Sequence, residues 1–116
     1  MSSNDGEYKC IQTITKDNKN GHSSTVLCLV RMNEKMFISG SSDNNIKVWT
    51  SNNNGKYKCI QTITKHNNNG HSTIVKCLVK INETMFISGS SDDSMKVWIS
   101  SNDGEYKCTK TISTIY

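Results

Sequence analysis

The 116-residue sequence has no proline, a single arginine (Arg31) and no apolar run approaching the roughly 18 residues a membrane-spanning helix needs. The lysines behind the net charge of +4 are scattered one or two at a time, so no basic stripe follows a phosphate backbone and nucleic acid is not an expected partner. The opening residues, MSSNDGEYKC, lack the apolar core of a signal peptide, which predicts a cytoplasmic protein, with the nucleus as the alternative, and no membrane contact. At 34% apolar and 7% aromatic residues, the chain is poorly supplied for burying a core by itself. CxxC pairs are also missing: Cys10, Cys28, Cys59, Cys77 and Cys108 stand far apart, which argues against a metal site or disulfide framework and predicts small buried hydrophobes. No metal and no cofactor are expected.

What is present is a repeat. Cys10, Cys59 and Cys108 fall about 49 residues apart, and His22 aligns with His71, Asp43 with Asp92 and Trp49 with Trp98 at the same spacing. From Cys10 to Lys58 and from Cys59 to Lys107, about 34 of 49 positions are identical, the mark of a recent duplication. Ser2 to Cys10 recurs two periods later as Ser100 to Cys108, and the divergence of Thr109 to Tyr116 resembles a chain end.

β-Branched residues, Ser, Asn and Gly recur throughout and no window of 10 or more residues shows a 3.6-residue apolar period, which predicts an all-β fold. In the first unit four strands are expected: a over Thr25 to Met32, b over Met36 to Ser42, c over Ile46 to Thr50 and d over Tyr57 to Lys65. Asn33-Glu34, Asp43-Asn44-Asn45 and Ser51 to Gly55 supply the turns. Strand a (Val26 to Val30) and strand b (Met36 to Ile38) are apolar on both faces, as in a sheet sandwiched between neighbours. The d-type run occurs three times, at Tyr8 to Thr15, Tyr57 to Thr64 and Tyr106 to Ser113, whereas a, b and c occur twice. One strand is surplus.

Gly21-His22, Ile38 to Asp43 and Ile46 to Trp49, with Gly70-His71, Ile87 to Asp92 and Met95 to Trp98 in the second copy, resemble the WD40 repeat of β-propellers. Thr50 and Ile99 stand where the name-giving aspartate would follow each tryptophan. The resemblance implies two four-stranded antiparallel blades: residues 1–20 hold the d-type strand of a preceding blade and a linker, 21–65 the first blade and 66–116 the second.

The resemblance also implies that His22, Ser39, Asp43 and Trp49 converge in one hydrogen-bond network, and His71, Ser88, Asp92 and Trp98 in another. Ser, His and Asp together invite a hydrolase reading, but there is no GxSxG elbow and the set recurs in both units, so no catalytic residue and no enzyme activity are expected. His66, in the place of Asp17, reads as a solvated loop histidine. Partner contacts in such propellers fall at the start of strand a and just before the turn aspartate, here Thr25, Leu27 and Ser42, then Ile74, Lys76 and Ser91. Thr25 becomes Ile74 and Leu27 becomes Lys76, so the two units offer different groups.

The expected function is a non-catalytic scaffold for protein or peptide partners. The alternatives are a self-assembling or remnant fragment with a structural role, and a substrate-recruiting segment of a ubiquitin-ligase or kinase system. Two blades cannot close a ring of 4 to 8, so self-association to six or eight blades, or a longer chain, is expected to cover the end faces.

Overall fold

The computed structural model describes residues 6–18 and 20–113, so the first four residues of the Ser2 to Cys10 motif and Thr114 to Tyr116 lie outside the described residues. The strands are β1 (Val26–Asn33), β2 (Met36–Ser41), β3 (Ile46–Ser51), β4 (Tyr57–Ile63), β5 (Val75–Asn82), β6 (Met85–Ser90), β7 (Ser94–Ser100) and β8 (Tyr106–Ser113). They form two antiparallel four-stranded meanders, β1-β2-β3-β4 and β5-β6-β7-β8. Asn44 (φ 74) and Asp93 (φ 68) take the left-handed conformation that closes each tight b–c turn.

The register repeats in both sheets. Phe37 lies opposite Trp49 and Ile38 opposite Val48, as Phe86 lies opposite Trp98 and Ile87 opposite Val97. Because strand side chains alternate, each sheet has an aromatic face and an aliphatic face. The core lies where the aliphatic face of the first sheet (Met32, Ile38, Ile46, Val48, Ile63) meets the aromatic face of the second (Phe86, Trp98, Tyr106, with Val75). Gly40 permits the contact: a Cβ there would stand 2.6 Å from Val75 Cγ1.

The opposite faces are open. Leu29 is 64% exposed on the first sheet and Val79 52% exposed on the second. A Cα radius of gyration of 15.0 Å and extents of 56 × 29 × 24 Å describe a body longer than a closed domain of this size, for which about 13 Å is ordinary.

Three expectations need correction. Tyr8 to Thr15 is not a strand, because no c-type strand lies beside it to supply a ladder. The d-type strand of the first unit ends at Ile63 and not Lys65: Thr64 caps a short helix, α1 (Lys65–Asn68), accepting from Asn67 N–H while the Asn67 side chain accepts from Thr64 N–H. None of the five cysteines is buried; Cys10 and Cys77 are exposed and the others half-buried, all as free thiols. Cys28 and Cys108 pack against the margin of the core, with Cys28 Sγ 3.8 Å from Val75 O, and neither is fully enclosed.

Candidate functional site

Each sheet holds a chain of four polar side chains. Trp49 Nε1–H donates to Ser39 Oγ at 2.9 Å, Ser39 Oγ lies 2.6 Å from His22 Nε2, and His22 Nδ1 lies 2.9 Å from Asp43 Oδ2. In the second sheet Trp98 to Ser88 is 2.8 Å, Ser88 to His71 is 2.7 Å and His71 to Asp92 is 3.0 Å. Indole can only donate, so the serine hydroxyl receives it and passes its own proton to Nε2, which leaves Nδ1–H to donate to the carboxylate. A neutral imidazole satisfies this order.

The titration behaviour agrees. Burial lowers the pKa of both His22 and His71 below the ordinary value of 6.5, against the opposing pull of Asp43 and Asp92. Burial alone would raise the two carboxylates. For Asp43 this is outweighed by the N–H groups of Asn45 and Ser23 and by His22; for Asp92, by the Ser94 hydroxyl, His71 and the Ser72 N–H. Both therefore lie below the usual carboxylate range. Each aspartate thus ties the b–c turn to the loop that carries its histidine, since Ser23 N–H and Asn45 N–H both reach Asp43. Ser39 and Ser88 are 2% and 0% exposed, and each already accepts an indole proton, so neither hydroxyl is presented to solvent as a nucleophile. Among the described residues, no group of three or more His, Cys, Asp or Glu is placed to hold a metal ion.

The six rim residues fall into two matching sets. Ser42 N–H donates to Thr25 O at 2.8 Å and Ser91 N–H to Ile74 O at 3.2 Å, which holds each turn against the start of its a-type strand. Leu27 and Lys76 are the unpaired residues of bulges, between Val26 and Cys28 and between Val75 and Cys77. Leu27 is 42% exposed; Thr25, Lys76 and Ser91 are exposed, whereas Ser42 and Ile74 are half-buried. His66 is exposed on α1.

One set of residues escaped sequence reasoning. Gln61 Nε2 donates to Tyr106 O at 2.8 Å while its Oε1 accepts from Tyr106 N–H at 2.8 Å, so a single amide clamps the two sheets. Gln12 treats Tyr57 in the same way, at 2.9 and 2.8 Å. The signal was available in the repeat, where Gln12 and Gln61 align with Lys110.

The sequence profile described as WD domain, G-beta repeat matches residues 8–50 and 57–98. Among solved structures, the WD40 beta propeller domain of Doa1 is 25% identical with a TM-score of 0.62, covering 80% of this chain and 28% of its own. Sqt1 of Saccharomyces cerevisiae is 18% identical with a TM-score of 0.66, covering 81% of this chain and 24% of its own. The chain therefore spans about a quarter of the length of these propellers, as an open and incomplete one. No curated protein matches it. With the profile matched over most of its length, the chain belongs to the WD domain, G-beta repeat family.

Proposed function

We propose that the chain is a non-catalytic interaction scaffold that offers the rim around Thr25, Leu27 and Ser42, and around Ile74, Lys76 and Ser91, to protein or peptide partners. Members of this family generally serve as such scaffolds. The observation that carries the reading is the pair of bulges: two sheets identical at about 34 of 49 positions aim different side chains, Leu27 and Lys76, outward from the same backbone irregularity. A bulge re-aims one side chain out of the ladder, so exchanging its residue alters the surface and leaves the sheet intact. The buried serines support a structural role for the Ser, His and Asp residues. The polar networks tie each b–c turn to the loop before its a-type strand, next to the rim.

Quantitative affinity capture tests this with the full chain carrying Leu27→Glu and Lys76→Glu, against a control carrying Glu34→Lys in the opposite, a–b turn. A set of proteins lost with the rim variant and kept with the control is expected. Identical captured sets for the two variants would contradict the rim as the binding surface.

A structural role through self-association has its own observation in its favour: the two open faces of the chain are the two halves of the interface that the chain already contains.

A further inference from the structure

Three asparagines precede a glycine, in the steps Asn20-Gly21, Asn54-Gly55 and Asn69-Gly70. A glycine has no Cβ to shield its nitrogen, so at each step that nitrogen can reach the side-chain amide carbon of the asparagine, provided the dipeptide is free to turn. Local sequence makes the three steps alike. The fold separates them.

Gly21 and Gly70 are buried, and their N–H groups donate to Thr15 O at 3.0 Å and to Thr64 O at 2.9 Å. Each glycine is pressed against that threonine: a Cβ at either position would stand 2.8 Å from the threonine carbonyl carbon. Asn20 and Asn69 are held in the left-handed region, both at φ 61. Turning either peptide means lifting the loop that carries His22 or His71 out of its network. Asn54 and Gly55 lie instead in the exposed loop between β3 and β4. The Asn54 side chain makes no hydrogen bond among the described residues, and beyond its chain neighbours nothing lies within 4 Å of the Gly55 Cβ position. Gly55 N–H makes one exposed turn bond, to Asn52 O at 3.1 Å, and such a bond opens at low cost.

The second copy of this loop has Asp103 in the place of Asn54. Ser101 N–H donates to Glu105 O at 2.8 Å and Gly104 N–H to Ser101 O at 2.9 Å, as Asn52 N–H donates to Lys56 O at 2.9 Å and Gly55 N–H to Asn52 O, so the same turn accommodates an aspartate. The Asp103 carboxylate accepts from Ser101 Oγ–H and Glu105 N–H, which hold it below the usual carboxylate range; it stays ionised and is a poor electrophile for Gly104. Lys107 Nζ lies 3.9 Å from it, and the counterpart of Lys107 in the first copy is Lys58.

We propose that Asn54 is a self-modification site, converted to aspartate or isoaspartate by attack of the Gly55 nitrogen with water as the only co-reactant. The Gly55 N–Asn54 Cγ bond forms, the Cγ–Nδ2 bond breaks, and ammonia leaves with the proton that Gly55 N gives up. Water then adds to one of the two carbonyls of the resulting succinimide and opens it; nothing is oxidised or reduced. The aspartate product fits the turn on the pattern of Asp103, with Lys58 placed to meet it. The isoaspartate product carries the chain through its side-chain carbon and lengthens a turn in which Asn52 Oδ1 accepts from both Asn54 N–H at 2.8 Å and Lys56 N–H at 3.1 Å, just before β4. Either product puts a negative charge beside the a–b turn, where Ser51 N–H donates to Lys35 O at 2.8 Å, at the opposite end of the sheet from Thr25, Leu27 and Ser42.

The test incubates the full chain in neutral buffer and, in parallel, unfolded in urea, and follows each Asn-Gly step by peptide mass spectrometry with fragmentation that separates aspartate from isoaspartate. In the folded chain, acid should appear at position 54 about tenfold faster than at positions 20 and 69, because their glycines must first be released from buried backbone bonds. In urea the three rates should converge. Equal rates at the three steps of the folded chain, or faster reaction at Asn20 or Asn69, would overturn the proposal, and a preference for Asn54 that persists unchanged in urea would overturn its assignment to the fold. Asn54→Asp should keep the wild-type urea midpoint; a lowered midpoint would overturn the claim that the turn accepts the aspartate product.

Discussion

The Gln61 side-chain amide both donates to and accepts from the backbone of Tyr106, 45 residues away and in the other sheet. Tyr106 lies buried between Phe86 of its own sheet and Met36 of the first, its hydroxyl 3.7 Å from Met36 Sδ. One side chain therefore fixes the start of β8 and the angle between the sheets. Gln61→Leu keeps the volume and strands Tyr106 N–H and C=O. It should lower stability by about 1–3 kcal/mol for each group left unsatisfied, read as the urea midpoint. An unchanged midpoint would show that the clamp carries no energy.

The polar chains from tryptophan to aspartate make a second prediction. Asp92→Ala removes the acceptor for His71 Nδ1 and for the N–H groups of Ser72 and Ser94, so a loss of about 1–3 kcal/mol per stranded buried group is expected in chemical denaturation. Asp43→Ala should act alike in the first sheet through His22, Ser23 and Asn45. Wild-type stability in either variant would contradict the network's structural role.

Stability should fall in two stages on acidification. His22 and His71 have folded-state pKa values below 6.5, so below that pH the unfolded chain takes up protons that the folded chain refuses, and unfolding gains. Asp43 and Asp92 have folded values below 3.8; their contribution is present above that pH and is lost as pH falls through it towards the folded values. Urea midpoints measured from pH 8 to pH 3 should decline first below about 6.5 and again below about 4. A midpoint that is flat from pH 8 to pH 5 would contradict the neutral, buried histidines.

Two equivalent glycines should respond differently. Gly40→Ala places a methyl 2.6 Å from Val75 Cγ1 and 2.8 Å from Cys28 Sγ, overpacking the interface at a cost of about 1–3 kcal/mol. Gly89→Ala meets only Cys77 Sγ, at 2.7 Å, and should cost a dilute, unassociated chain less. Equal losses of melting temperature in the two variants would show that Val75 yields freely.

The repeat made much of this legible. Asp43, Trp49 and their copies mark the turns and strands because the b–c turn needs left-handed backbone and the sheet needs alternation, and both leave a local imprint on sequence. The clamps did not stand out, because a glutamine on a strand reads as an outward polar residue until the neighbouring sheet's backbone is in place. Tyr8 to Thr15 carries strand chemistry identical in pattern to Tyr57 to Thr64, yet pairing depends on a partner strand that local sequence cannot supply. The bulges at Leu27 and Lys76 were hidden for a similar reason: an unpaired residue is defined by its neighbour's register.

Light scattering coupled to size exclusion, on the full chain over a dilution series, tests most directly whether the open faces are completed by further copies. A discrete assembly of three or four chains, making six or eight blades, is the expected result. A folded monomer at every concentration, with Leu29 and Val79 left facing water, would contradict it.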